Sequence, residues 1–347
     1  MSLTINTNLG SLTVQRNLSA ATKGLNTAME RLSTGYKINT AGDDAAGFAV
    51  ASKMQSKLNG YQVAESNGQM ATSLLTTEEG VLDIVNSYLS RIRDLTEQAA
   101  NGTYSTDSLN AIKTEVVQRM NEINRLVSVT DFNGLELLSG SGSAADHGIN
   151  IQIGLNSSDN NVISLDKELF ADARCTVIMG FKAAADGGNI NLTGSTTADD
   201  TCKYAGTIAG TVHYFESAVV AELANDGKVV ENAGSYELTG ALSIEDMCEA
   251  IYSLDSAARG FLDYIDSAVE NVTNRVTKIG AYQNRIDSAI EALSIQGANL
   301  TEAHSSIMDA DVAAVSSDYM RFQILQQSAA TLLTTANQTP SIALNLL

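Results

Sequence analysis

Apolar residues along this chain recur in steps of four and three over long stretches, the spacing that places them on one stripe of an α-helix. The first stretch runs Val14, Leu18, Ala21, Leu25, Ala28 and Leu32 and stops at Ser33-Thr34-Gly35. A second helix is expected after Gly42, where Asp43 or Asp44 can cap free amide groups and oppose the helix dipole. Its later part reads Val81, Val85, Tyr88, Ile92, Leu95 and Ala99, and Asn101-Gly102 ends it. A third begins near Ser105, with Leu109, Ile112, Val116, Met120, Ile123 and Val127 on one face, and Asp131-Phe132-Asn133-Gly134 reads as a turn.

The period then changes to two. Ile149, Ile151 and Ile153 alternate with polar residues, turn formers fill Ser157 to Asn161, and Ile163 and Leu165 alternate again, which predicts a β-hairpin. From about 171 to 257 glycine, serine and threonine increase. Strand-like runs there cover Cys175 to Phe181 and Thr207 to Phe215, with an amphipathic helix near Ser243 to Leu254.

Helical spacing returns with Leu262, Ile265, Val269, Val272, Val276 and Ile279, and after Gln283 with Ile286, Ile290 and Leu293. A last helix carries Val312, Val315, Tyr319, Phe322, Leu325, Ala329, Leu332 and Ala336, with one irregular step and with Ile324 and Leu333 beside the stripe. The expected fold is mainly α: a long antiparallel coiled coil or bundle of N- and C-terminal segments, a β-hairpin region, and a central inserted α+β domain. The expected divisions are 1–43 with 305–347 for the terminal coiled coil, 44–170 with 258–304 for a helical shaft, and 171–257 for a surface-exposed insert.

Composition strengthens the helical reading. The sole proline among 347 residues is Pro340, so nothing upstream meets the interruption that proline imposes on a helix. The formal net charge is -19 with no basic block, which repels polyanions and sets nucleic acid aside. The same charge makes copies repel one another at low ionic strength; salt screens that repulsion beyond a Debye length of roughly 10 Å at 0.1 M. Met1 to Gly10 carries no cationic leader followed by an apolar stretch, and no apolar run approaches the roughly 20 residues of a membrane span, so membrane insertion is not expected.

Candidate chemistry is sparse. His147, His213 and His304 are isolated, and the sequence holds no H-E-x-x-H pair, phosphate-binding glycine loop or G-x-S-x-G turn. No catalytic constellation, metal site or cofactor is expected. Cys175 and Cys202 can form a disulfide if the insert faces an oxidising exterior; buried free thiols are the commoner outcome, and Cys248 would stay unpaired.

The terminal stripes need partners, because an isolated amphipathic helix is marginal in water. Ala21 and Ala28 make the N-terminal stripe poor in large side chains, so pairing with the C-terminal stripe alone buries little area. Either both ends fold back into one intramolecular bundle, or contacts between copies supply the rest.

Met29 to Gly47, MERLSTGYKINTAGDDAAG, resembles the N-terminal signature of bacterial flagellins. Arg321 to Ala330, RFQILQQSAA, followed by Ala336-Asn337-Gln338, is similar to their C-terminal signature. LSRIRDLTEQAANGTYS from Leu89 and GAYQNRIDSAI from Gly280 extend the likeness over about 1–170 and 258–347. The resemblance implies a structural subunit, not an enzyme, that polymerises into a flagellar filament for motility. It also implies type III export without a cleavable signal, an export chaperone at the C-terminus, filament cap and hook-junction partners, and an extracellular location. Leu18, Leu25, Leu32, Phe322, Leu325 and Leu332 are the expected polymerisation seam.

The family's recognition surface for a Toll-like receptor of innate immunity maps onto Arg91, Leu95, Gln98 and Glu115, with Ser90 and Glu97 departing from the usual residues. Related inserts carry O-linked sugars, which implies acceptors among Thr193, Ser195, Thr196, Thr197 and Thr201, although a plain polar loop has the same composition. A hook-filament junction protein shares terminal motifs, and a secreted binding module with a ligand-recognising insert would keep the helices only as a stalk.

Overall fold

The computed structural model describes residues 8–141, 143–179, 194–195, 204–208, 211–215, 224, 229–232, 235–238, 244–252 and 255–344. Two compact units emerge, one of 1–63 with 292–347 and one of 64–291. The division falls within two helices of more than fifty residues, α2 (Ala45–Ala99) and α7 (Asp255–Met308).

The first unit contains α1 (Leu9–Thr34), the beginning of α2, the end of α7, and α8 (Val312–Leu344). α1 starts where the Asn8 side chain accepts from the Ser11 amide and ends at Gly35, whose φ of 76° returns its N–H to the Arg31 carbonyl. The start of α2 is fixed by Asp44, which accepts from the amides of Ala46 at 3.1 Å and Gly47 at 3.0 Å. Asp43 ties down the preceding loop by accepting from the amides of Asn39 and Thr40. Those bonds favour its anionic form and hold its carboxyl below the usual range.

The second unit is built on α2 and α7, to which α3 (Thr106–Val129) adds a face of Ile112, Val116, Met120, Ile123 and Val127, all buried as the spacing predicts. β1 (Asp131–Phe132) and β2 (Leu135–Glu136) form a two-residue hairpin. Asn133 and Gly134 turn it with φ of 54° and 79°, the left-handed pair such a turn requires.

After the short α4 (Ser143–His147), β3 (Ile149–Gln152) pairs antiparallel with β4 (Val162–Leu165), Ile151 opposite Ile163. This is the hairpin expected from alternation. Cys175 to Phe181, expected as strand, instead contains the helical turn α5 (Cys175–Ile178). Its amides at Val177 and Ile178 return to the Arg174 carbonyl, and the Cys175 amide donates to Asn124 Oδ1 at 2.8 Å, so tertiary hydrogen bonding overrides β-propensity.

Further on, β6 (Tyr204–Ile208) and β7 (Thr211–Phe215) pair antiparallel, and β5 (Gly194–Ser195) joins the other edge of β7. β8 (Val229–Asn232) pairs with β9 (Ser235–Leu238). The amphipathic helix α6 (Ile244–Tyr252) docks on the helical core through a Cys248–Met120 sulfur contact of 3.7 Å and a Tyr252–Thr96 hydroxyl bond of 2.7 Å. Lys113 also pairs with Glu249.

Candidate functional site

The two chain ends meet as antiparallel helices. Asn8 Nδ2 donates to the Ala336 carbonyl at 2.7 Å and Ser11 Oγ to Asn337 Oδ1 at 2.7 Å; further along α1, Gln326 Nε2 donates to Thr22 Oγ1 at 3.2 Å. At the far end an antiparallel bridge joins Tyr36 to Asp309, with the Ala310 amide donating to the Gly35 carbonyl at 2.9 Å.

Between these ties the α1 stripe is as the spacing predicts, with Ala21 and Ala28 buried and Val14, Leu18, Leu25 and Leu32 half-buried. The fit is close at Gly24, where a Cβ would stand 2.5 Å from Phe322 Cε1. Only a residue without a side chain admits the ring there. Because small residues supply the closest packing, the pair buries few large side chains.

On α8 the covered positions include Val315, Tyr319, Phe322, Gln326, Ala329, Leu333 and Ala336, an alternation of four and three, with Ser316 beside the stripe. The irregular register expected from the sequence is therefore corrected at two places. Leu325 and Leu332 lie off the α1–α8 seam, 48% and 58% exposed, while Gln326 and Leu333 occupy it. Gln326 can do so because Thr22 accepts its amide proton. With Val312, Met320 and Ile324 also exposed, α8 carries large apolar side chains outside the face that α1 covers.

A second surface lies on the second unit. Arg91 Nε donates to Glu115 Oε1 at 3.3 Å, and Arg119 donates to the same oxygen from Nη2 at 2.9 Å while its guanidinium sits over the Tyr88 ring. These donors, Arg119 foremost, hold the Glu115 carboxyl below its usual range. Arg91 and Glu115 are thus brought together, and Gln98 is exposed. Leu95 is a correction: it is 3% exposed and faces the core, so it supports this surface from beneath.

Cys175 and Cys248 are buried free thiols, both pushed up by burial, Cys248 to about 12. Cys202, the pairing partner considered for Cys175, lies outside the described residues, as do Thr193, Thr196, Thr197 and Thr201. Ser195 is described as part of β5, with Tyr214 of β7 as its register partner. Among the described residues no helix is long and apolar enough to cross a membrane, and no cluster of histidine, cysteine and acidic residues could hold a metal ion.

Long helices, paired termini and an apolar side left open on α8 define a helical structural protein. Residues 5–143 match the family model of the bacterial flagellin N-terminal helical region, and residues 262–347 match that of the C-terminal helical region. Polar flagellin F of Vibrio parahaemolyticus is 32% identical over the whole of both chains. A flagellin of Clostridium tyrobutyricum is 33% identical over 96% of this chain and 99% of its own. The crystal structure of Bacillus cereus flagellin aligns with 20% identity and a TM-score of 0.39 over 69% of this chain and 94% of that one. The chain belongs to the bacterial flagellin family, the structural subunits of the extracellular flagellar filament.

Proposed function

We propose that this subunit polymerises through its terminal helix pair, with the uncovered side of α8 packing against neighbouring copies. The observation that carries this reading is the exposure of Val312, Met320, Ile324, Leu325 and Leu332 on a helix whose opposite face is already occupied by α1. Large apolar side chains left in water beside one another mark a surface that a further contact can bury. Burying each such side chain contributes about 1.5–3 kcal/mol, which repeated along a filament outweighs the repulsion of subunits carrying -19 each once salt screens it. Leu18, Leu25, Leu32 and Phe322 hold the pair together, and Leu325 and Leu332 face the next copy.

The test compares the full chain with a version lacking about forty residues at each end, by sedimentation and negative-stain microscopy after salt is added. Long filaments from the full chain alone support terminal-driven assembly. If neither version polymerises even when seeded with filament fragments, the self-propagating reading fails and a ring-forming junction protein takes its place.

Around this assembly the same reading supplies the partners: type III export, a chaperone covering the C-terminal helix before assembly, and cap and hook-junction proteins at the filament ends. For the free monomer, recognition by the innate immune Toll-like receptor would engage Arg91, paired with the half-buried Glu115, and the exposed Gln98, all on the second unit. Loss of receptor signalling by Arg91→Ala, with normal filaments, is the outcome that reading requires.

A further inference from the structure

Buried positions step along α2 through Leu75, Glu78, Leu82 and Val85, and the core stripe of α7 passes through Val272, Arg275 and Ile279. Two charged residues therefore stand where the helical spacing demands apolar ones. Glu78 is fully buried, and neither of its carboxylate oxygens has a hydrogen-bond partner. The charge that acts on it is Arg275, whose Nη2 lies 3.7 Å from Oε1, too far for a hydrogen bond.

Other groups compete with Glu78 for that guanidinium. Nη2 donates to the Leu169 carbonyl, Asp172 draws on the same charge, and Nε has no partner. The neighbouring charges are also committed: Glu79 accepts from Gln283 at 2.8 Å, Lys278 pairs with Glu168, and Arg174 Nε donates to Asp172 at 2.8 Å. An ionised carboxylate in this position loses its hydration and gains no hydrogen bond in return, whereas a neutral one costs far less to bury.

We propose that Glu78 is a proton-binding site built into the core of the second unit, and that loss of its proton loosens the packing of α2 against α7 and the 167–170 turn. Burial raises its carboxyl from 4.5 to about 8 against the opposing pull of Arg275. Because the folded value lies above the unfolded one, the stabilisation is complete below about pH 4.5 and is lost as pH rises through about 8. An extracellular subunit takes the pH of its medium, so this site would couple the firmness of the unit to external alkalinity.

The test uses the full chain, its Glu78→Gln variant, and Glu79→Gln as a control. Between about pH 6 and pH 9 the unfolding constant of the wild type and of the control should rise at least tenfold more than that of Glu78→Gln, read from urea unfolding. Difference infrared spectroscopy near neutral pH should show a carboxylic-acid carbonyl band in the wild type that Glu78→Gln lacks. Should the glutamine variant fail to fold, disappearance of that band in the wild type as pH passes about 8 still decides. An absent acid band at neutral pH, or equal pH dependence in all three chains, overturns the proposal.

Discussion

Gly24 and Phe322 interlock: a Cβ on the glycine would stand 2.5 Å from Phe322 Cε1, so the ring of α8 occupies space that only a bare backbone on α1 leaves open. This contact is one of those that hold the two ends of the chain in register, beside the Gln326–Thr22 bond. Gly24→Val should force the ring out and destabilise the α1–α8 pair by about 1–3 kcal/mol, the cost of overpacking a fitted site. Limited proteolysis would show it as earlier cleavage within α1 and α8, with the second unit unchanged.

Thr96 and Tyr252 hold α6 on the core. Thr96 Oγ1 donates to the Ile92 carbonyl at 2.8 Å, so the proton in its 2.7 Å contact with Tyr252 comes from the phenol, whose ionisation burial also suppresses. Tyr252→Phe removes a donor and leaves Thr96 with its own bond, and should cost about 0.5–1.5 kcal/mol. Thr96→Val strands the buried phenol and should cost about 1–3 kcal/mol. Chemical denaturation of both variants checks the order, and equal losses would contradict the assigned donor.

Asp43 gives a pH dependence of opposite sign to that of Glu78. Its folded carboxyl sits below the unfolded value of 3.8 because the Thr40 and Asn39 amides donate to it, so the loop it secures is held at neutral pH and released as acid protonates it. Amide exchange at Asn39 and Thr40, after correction for the intrinsic pH dependence of exchange, should show protection falling below about pH 4 in the wild type. In Asp43→Ala that protection should be weak throughout.

Much of this architecture was legible in the residues. The α1 and α3 stripes, the 149–165 hairpin and α6 follow from apolar spacing because each has one face to bury and a polar one to expose. α8 does not obey that rule. With Ile324, Leu325 and Leu332 outside the pair and Phe322 and Leu333 inside it, two registers fit the sequence equally well, and the choice rests on Thr22 accepting from a glutamine. Leu95 is buried as its place on the Val81–Ala99 stripe requires; the resemblance that set it beside Arg91 on a recognition surface gives a position in the chain but not its depth.

Glu78 and Arg275 had a signal that was available. Leu75, Leu82 and Val85 bracket Glu78 in helical steps, as Val272 and Ile279 bracket Arg275, yet the charged residue types concealed two core positions. Cys175 to Phe181 had no such signal, since the helical turn there depends on Asn124, more than fifty positions earlier.

Salt should act on assembly in a definite direction. Each copy carries -19, so raising ionic strength should lower the concentration at which subunits polymerise until screening is complete, near the few ångströms of Debye length reached at about 1 M. Light scattering against salt concentration measures it, and a critical concentration that rises with salt would contradict an apolar interface opposed by charge.

The most direct measurement is sedimentation and negative-stain microscopy of Leu325→Glu and Leu332→Glu, beside circular dichroism of each monomer. Both side chains lie outside the α1–α8 seam and are about half exposed, so the monomers should keep wild-type helix content and melting while forming no filaments under salt that polymerises the parent chain. Normal filaments from either variant would contradict the assignment of this side of α8 to contacts between copies.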